Sequence, residues 1–149
     1  NLKFTADSSK IKEADFILIC VPTPVAESKE PDLSYVKSAA EIIGKNLKRG
    51  AIVVLESTVY PGVTDEIVKP ILEKESKMEC GIDFYLGYSP ERINPGDEAH
   101  ALTKITKIVA GMDDETTEDL AELYKKGEVS LSKAAEIVGM TTIEFKEIL

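Results

Sequence analysis

Thr23, Thr58 and Glu91 are the residues whose types and spacing could do chemistry, because each stands in a short, proline-braced loop just past an apolar run. Thr23 lies between Pro22 and Pro24, and the following proline holds its backbone extended. Its hydroxyl could touch a bound cofactor, or it could simply stabilise a turn at a strand end. Thr58 follows a buried run and precedes Pro61-Gly62. Its hydroxyl could hold a water or a ribose, or serve as a capping group. Glu91 and Arg92 sit between Pro90 and Pro95. A carboxylate there could orient a water or act as a base, and Arg92 could grip an anion. As a plain surface ion pair the two would contribute only about 0–1 kcal/mol. His100, the single histidine, reads as a surface residue. Cys20 reads as an inert residue of a buried strand, and Cys80 falls in a polar connection with no base beside it. Neither reads as an activated nucleophile.

These loops need a scaffold, and the apolar pattern supplies one. Residues 14–21, 51–55 and 83–88 are short, β-branched or aromatic runs that read as buried strands, with a fourth over 104–110. Between the first two, Asp32 is a candidate N-cap. Leu33, Val36, Ala40, Ile43 and Leu47 follow at helical spacing, and Gly50 closes the helix. Thr64 is expected to cap a second helix with Ile67, Val68, Ile71 and Leu72 on one face, kinked at Pro70. Strands alternating with helices imply a parallel sheet covered on both faces. Ligands of such sheets bind beyond the carboxyl ends of the strands, which is where the three loops lie. Residues 113–126 read as a further helix, acidic in its first turn and basic in its last. Two short helices are expected over 131–138 and 142–149.

Composition narrows the function. The 149 residues carry a net charge of −9, which disfavours general binding to phosphate backbones. Two cysteines without metal-ligand spacing imply neither a disulfide framework nor a zinc site. Apolar runs reach only about six or seven residues, short of the ~20 that cross a bilayer. A cytoplasmic, reducing setting is expected, with no membrane partner.

The three loops also carry a resemblance. Cys20-Val21-Pro22-Thr23-Pro24, then Glu56-Ser57-Thr58-Val59-Tyr60-Pro61-Gly62-Val63-Thr64, then Gly87-Tyr88-Ser89-Pro90-Glu91-Arg92-Ile93-Asn94-Pro95-Gly96-Asp97 resemble, in order and spacing, the UDP-glucose/GDP-mannose dehydrogenase family. The third is similar to the branch that oxidises UDP-N-acetylhexosamines, which includes UDP-N-acetyl-mannosamine dehydrogenases. The resemblance runs from about residue 2 to residue 124 and implies an NAD cofactor and a UDP-sugar substrate. It implies that Thr23 contacts NAD, and that Thr58 positions a catalytic water and touches the cofactor. Glu91 would serve the water-dependent steps and the cofactor, and Glu91, Arg92, Ile93 and Asn94 would line the nucleotide-sugar site. In the family a C6 alcohol is oxidised twice to a carboxylate, two NAD are reduced, and a cysteine holds the intermediate.

The departures from the family pattern are as informative. No Gly-x-Gly-x-x-Gly turn occurs in these residues, and no acidic residue that would hold the ribose accompanies it. Neither cysteine stands in the family's Gly-Gly-Ser-Cys-Phe-Pro-Lys-Asp-like stretch. The expected fold class is therefore α/β: a partial Rossmann-like parallel sheet with flanking helices over 1–112, corresponding to the second half of the NAD-binding domain. A small helical tail over 113–149 follows. The implied function is a truncated dehydrogenase, inactive alone. An exposed sheet edge would be covered by a homo-oligomer or a partner chain.

From Gly127 onward the tail is similar to short prokaryotic helix-turn-helix proteins, some antitoxin-like, with small Ala135, Gly139 at the turn, and Val138, Met140, Phe145 and Ile148 at inner positions. Residues 128–149 hold four Glu and two Lys, a net of −2, which lacks the basic face of a DNA reader. A packing role for the tail is expected, and the alternative function is a regulatory or interaction protein that works through it.

Overall fold

Ile52–Leu55 form strand β2, and every one of its four residues is buried. A strand apolar on both faces belongs in the middle of a sheet. The computed structural model, which describes residues 4–25, 30–90 and 107–125, sets it there. β1 (Phe16–Ile19) pairs with β2 in parallel, and β2 pairs in parallel with β3 (Tyr85–Tyr88). The registers run from Phe16 opposite Ile52 to Ile19 opposite Leu55, and from Ile52 opposite Tyr85 to Leu55 opposite Tyr88. All three strands therefore end at one level. β4 (Ala110–Gly111) closes the order β1-β2-β3-β4.

The expected fourth strand needs correction. Ala110 and Gly111 are its only described strand residues, and they run antiparallel to β3. Before them the backbone is engaged elsewhere, because the Ile108 carbonyl accepts a hydrogen bond from Ser89 Oγ at 2.9 Å. An antiparallel edge strand on a parallel sheet is common in doubly wound folds.

Helices cover both faces. α1 (Ser34–Asn46) and α2 (Lys69–Ser76) lie over the face built by Ile17, Ile19, Val53, Leu55, Phe84 and Leu86. α3 (Asp114–Lys125) sends Leu120 and Leu123 against Ile52 and Val54 on the other. The predicted stripe of α1 is the buried one: Leu33, Val36, Ala40 and Ile43. Asp32 sits just ahead of it, its Oδ1 accepting the Ser34 N–H at 2.8 Å. That amide holds the Asp32 carboxyl below its ordinary pKa. Gly50 does not close the helix. The chain leaves helical geometry at Leu47, and Gly50, at φ +80°, makes the turn into β2. Gly44 lets α1 approach α2, since a methyl there would lie 2.7 Å from Glu75 Cβ.

The second helical segment also departs from expectation. Thr64 does not cap it. Gly62, in the left-handed region at φ +97°, precedes a π-helical stretch, Val63–Val68, and regular α-helix begins only at Lys69. Pro70 thus falls in the first turn of α2, where its fixed φ suits the helix. The wide turn absorbs the proline that a continuous α-helix would have had to kink around.

α3 starts one residue after the position predicted, with Asp113 Oδ1 accepting the Thr116 N–H at 2.7 Å. Gly111 packs beneath this first turn so closely that a Cβ would lie 2.5 Å from Thr117 N. Among the described residues no helix is long and apolar enough to cross a membrane. The helix-turn-helix-like tail lies outside the described residues.

Candidate functional site

Because β1, β2 and β3 are parallel and in step, their following loops emerge along one rim. Two side-chain hydrogen bonds stitch the first two loops together. Buried Ser57 donates through Oγ to the Val21 carbonyl at 2.8 Å. Thr23 donates through Oγ1 to the Thr58 carbonyl at 2.7 Å, across 35 residues of sequence. Each such bond contributes about 0.5–1.5 kcal/mol net. The Thr23 loop is closed from its other side as well, where the Asp32 N–H donates to the Pro24 carbonyl at 2.8 Å. The sequence logic is direct. Prolines on both sides of Thr23 remove competing backbone donors, so its hydroxyl is free to turn toward the neighbouring loop.

The structure thus brings Thr23 and Thr58 together. Thr23 is half-buried, and Thr58 is exposed. Glu91, Arg92, Ile93 and Asn94 lie outside the described residues, as does His100. The chain can be followed past β3 to Ser89, which is fully buried, and to Pro90, the residue before Glu91.

The cysteines sit differently from their sequence reading. Cys20, expected inside a strand, is half-buried just beyond β1. Cys80, expected in a polar connection, is buried with its Sγ 3.8 Å from Met112 Sδ. Burial pushes its thiol up to about 11, so it is protonated at neutral pH.

A second cluster at the rim escaped the sequence reading. Glu56, the residue after β2, is only 7% exposed. Its Oε1 pairs with Lys107 Nζ, and its Oε2 accepts the Tyr124 hydroxyl at 2.9 Å. Lys107 Nζ also lies 5.3 Å from the centre of the Tyr124 ring. Burial, then the Glu56 charge, raises the Tyr124 phenol well above its ordinary pKa. The sequence did hold a signal. Glu56 directly extends a run of five buried residues, and a carboxylate in that position needs a partner.

Beside Thr58 a cavity of about 370 Å³ opens between the loop after β2 and the β3–β4 pair. Tyr60, Gly62, Thr64, Asp65, Tyr88 and Met112 are among its lining residues. Its size suits a small-molecule ligand. Neither Thr23 nor Thr58 lines it.

Comparison with known proteins adds independent findings. Residues 1–128 match the UDP-glucose/GDP-mannose dehydrogenase family, NAD binding domain. UDP-N-acetyl-D-glucosamine 6-dehydrogenase of Salmonella typhi is 46% identical over 149 residues, covering 94% of this chain and 35% of the relative. UDP-N-acetyl-D-mannosamine dehydrogenase of Pyrococcus horikoshii is 32% identical over 152 residues, covering 99% of this chain and 36% of the relative. Among solved structures, NDP-N-acetyl-D-galactosaminuronic acid dehydrogenase of Methanosarcina mazei Go1 superposes with a TM-score of 0.74 at 40% identity. That match covers 80% of this chain and 26% of the other. The chain spans about a third of the length of its curated relatives.

Proposed function

Because the chain belongs to the UDP-glucose/GDP-mannose dehydrogenase family, matching its NAD-binding domain, we propose that it serves the NAD-dependent oxidation of a UDP-N-acetylhexosamine at its C6 alcohol. In this reading Thr23 and Thr58 meet the cofactor on the strand rim, and Thr58 orients the water needed for the carboxylate-forming step. Glu91 takes the proton from that water. Arg92, Ile93 and Asn94 line the nucleotide-sugar site. NAD, when bound, supplies the hydride acceptor.

The observation that carries the reading is the Thr23–Thr58 hydrogen bond at the carboxyl edge of a parallel sheet. It holds two hydroxyl-bearing loops together where open α/β sheets take their ligands. The names of the relatives support the sugar class: UDP-N-acetyl-D-glucosamine and UDP-N-acetyl-D-mannosamine dehydrogenases.

The residues fit one part of the cofactor and not another. The rim offers hydroxyls and exposed loop backbone. These 149 residues contain no Gly-x-Gly-x-x-Gly turn to cradle a pyrophosphate, and neither cysteine lies in the family's nucleophile stretch. As an isolated polypeptide they would therefore form no NADH. Further polypeptide must provide both parts. Among the described residues β1 pairs on one side only, with β2, which leaves a strand edge for that polypeptide to join.

A graft tests this. Residues 1–128 would replace the corresponding segment of the Salmonella typhi enzyme, with NADH formation from UDP-N-acetyl-D-glucosamine as the readout. The graft should turn over, and the isolated 149-residue polypeptide should not. A folded graft without activity, or turnover by the isolated polypeptide, contradicts the reading.

A further inference from the structure

The cavity beside the Thr58 loop takes no part in the chemistry just proposed, yet four polar side chains line it. Tyr60 comes from the loop after β2, Thr64 and Asp65 from the start of the π-helical stretch, and Tyr88 from the end of β3. Among the described residues none of these four side chains has a hydrogen-bond or ion-pair partner. Leu86 and Met112 add apolar surface, and the lining as a whole is mostly apolar. An apolar cavity with a few convergent polar groups is the usual build of a small-molecule site. Its volume of about 370 Å³ suits a single-ring molecule rather than a dinucleotide.

Charge decides which molecule fits. No Lys, Arg or His is among the described residues that line the cavity, so none of them neutralises a bound phosphate or carboxylate. The protein supplies negative charge instead. Asp65 is exposed at the cavity. The Glu66 carboxylate folds back over Gly62, another lining residue, so that a Cβ there would lie 3.1 Å from Glu66 Oε1. The Cys80 thiol, which touches Met112, feels the same field. Burial is the first cause of its raised pKa, and the charges that act on it are one ammonium, Lys69, and three carboxylates, Glu73, Asp65 and Asp113. Tyr60 and Tyr88 add two aromatic rings, whose faces attract cations.

We propose that this cavity binds a small organic cation, an ammonium group carried on an apolar or aromatic body, with Asp65 as its counter-ion and Tyr60, Thr64 and Tyr88 around it. The site is separate from the proposed cofactor contacts, since neither Thr23 nor Thr58 lines it. NAD and UDP-sugars carry phosphates, and a cavity bordered by carboxylates repels them. Tyr60 stands two residues past Thr58, so the occupant rests against the loop that carries Thr58.

The test titrates the 149-residue chain, labelled at its methionine and threonine methyls, with three probes of one shape and different charge: benzylammonium, benzyl alcohol and benzoate. Benzylammonium should shift the Met112 and Thr64 methyls saturably and leave Met78 and Thr23 in place. Benzyl alcohol should bind about fivefold more weakly, the scale of one partly exposed ion pair, and benzoate should leave both signals unmoved. Asp65→Asn should raise the Kd of benzylammonium about fivefold and leave that of benzyl alcohol unchanged. Tyr60→Ala should weaken benzylammonium by a similar factor. Both substituted residues are exposed, so the melting temperature should stay near that of the parent. No shift at Met112 and Thr64 with any probe overturns the proposal. Equal affinity for all three probes, which needs no variant to establish, overturns the choice of a cation. Benzylammonium shifts at Thr23 and Thr58 in place of Met112 and Thr64 put the ligand on the rim and overturn the site.

Discussion

Glu91→Gln should reduce NADH formation by the graft about 10²–10⁴-fold, the usual contribution of a positioned general base. Gln keeps the size and most of the hydrogen bonding of Glu but cannot take a proton. The loss should fall on kcat, with KM for the UDP-sugar little changed, because the proton moves only during the reaction. Arg92→Gln should behave differently, raising KM through a lost anion contact. A Glu91→Gln graft that keeps turnover near the parent value would remove Glu91 from the mechanism. Only the graft can report this result, because the isolated 149 residues lack the nucleophile stretch.

The second large effect concerns the scaffold. Phe84→Ala should destabilise the chain by about 3–5 kcal/mol. Phe84 is fully buried, sits just before β3, and packs in the core beneath α1 and α2. A domain of this size has roughly 5–15 kcal/mol of stability to lose, so this single change would remove a large share. Urea denaturation checks it, with the midpoint falling and the slope unchanged. Ile82, two residues away and 66% exposed, is the internal control. Ile82→Ala should shift stability by no more than about 0.5 kcal/mol. A Phe84→Ala loss as small as that of Ile82→Ala would mean that the described core does not carry the fold.

The sheet and its main covering helix were legible because their signals are local. Each run at 14–21, 51–55 and 83–88 contains an observed strand, and the 3–4 spacing from Leu33 to Ile43 marks the face of α1 that is buried. What escaped depends on contacts distant in sequence. Nothing within residues 107–110 announces that the Ile108 carbonyl will bond Ser89, so the sequence does not show that residues 107–109 stay outside the strand. Pro70 announced an irregularity but not its form. A π-helical turn ahead of it and a kink at it are both ways to accommodate the same proline, and the structure takes the first. The meeting of Thr23 and Thr58 followed from topology, since parallel strands in step deliver their loops to one edge. The Glu56 cluster was missed because its partners are 51 and 68 residues away.

Where NAD meets this chain tests the proposed cofactor contacts most directly. Threonine-methyl-labelled protein titrated with NAD would report it, even at weak affinity, through the methyl signals in the NMR spectrum. Thr23 and Thr58 should shift first and together. Shifts at Thr64, which borders the neighbouring cavity, with Thr23 and Thr58 unmoved, would contradict it.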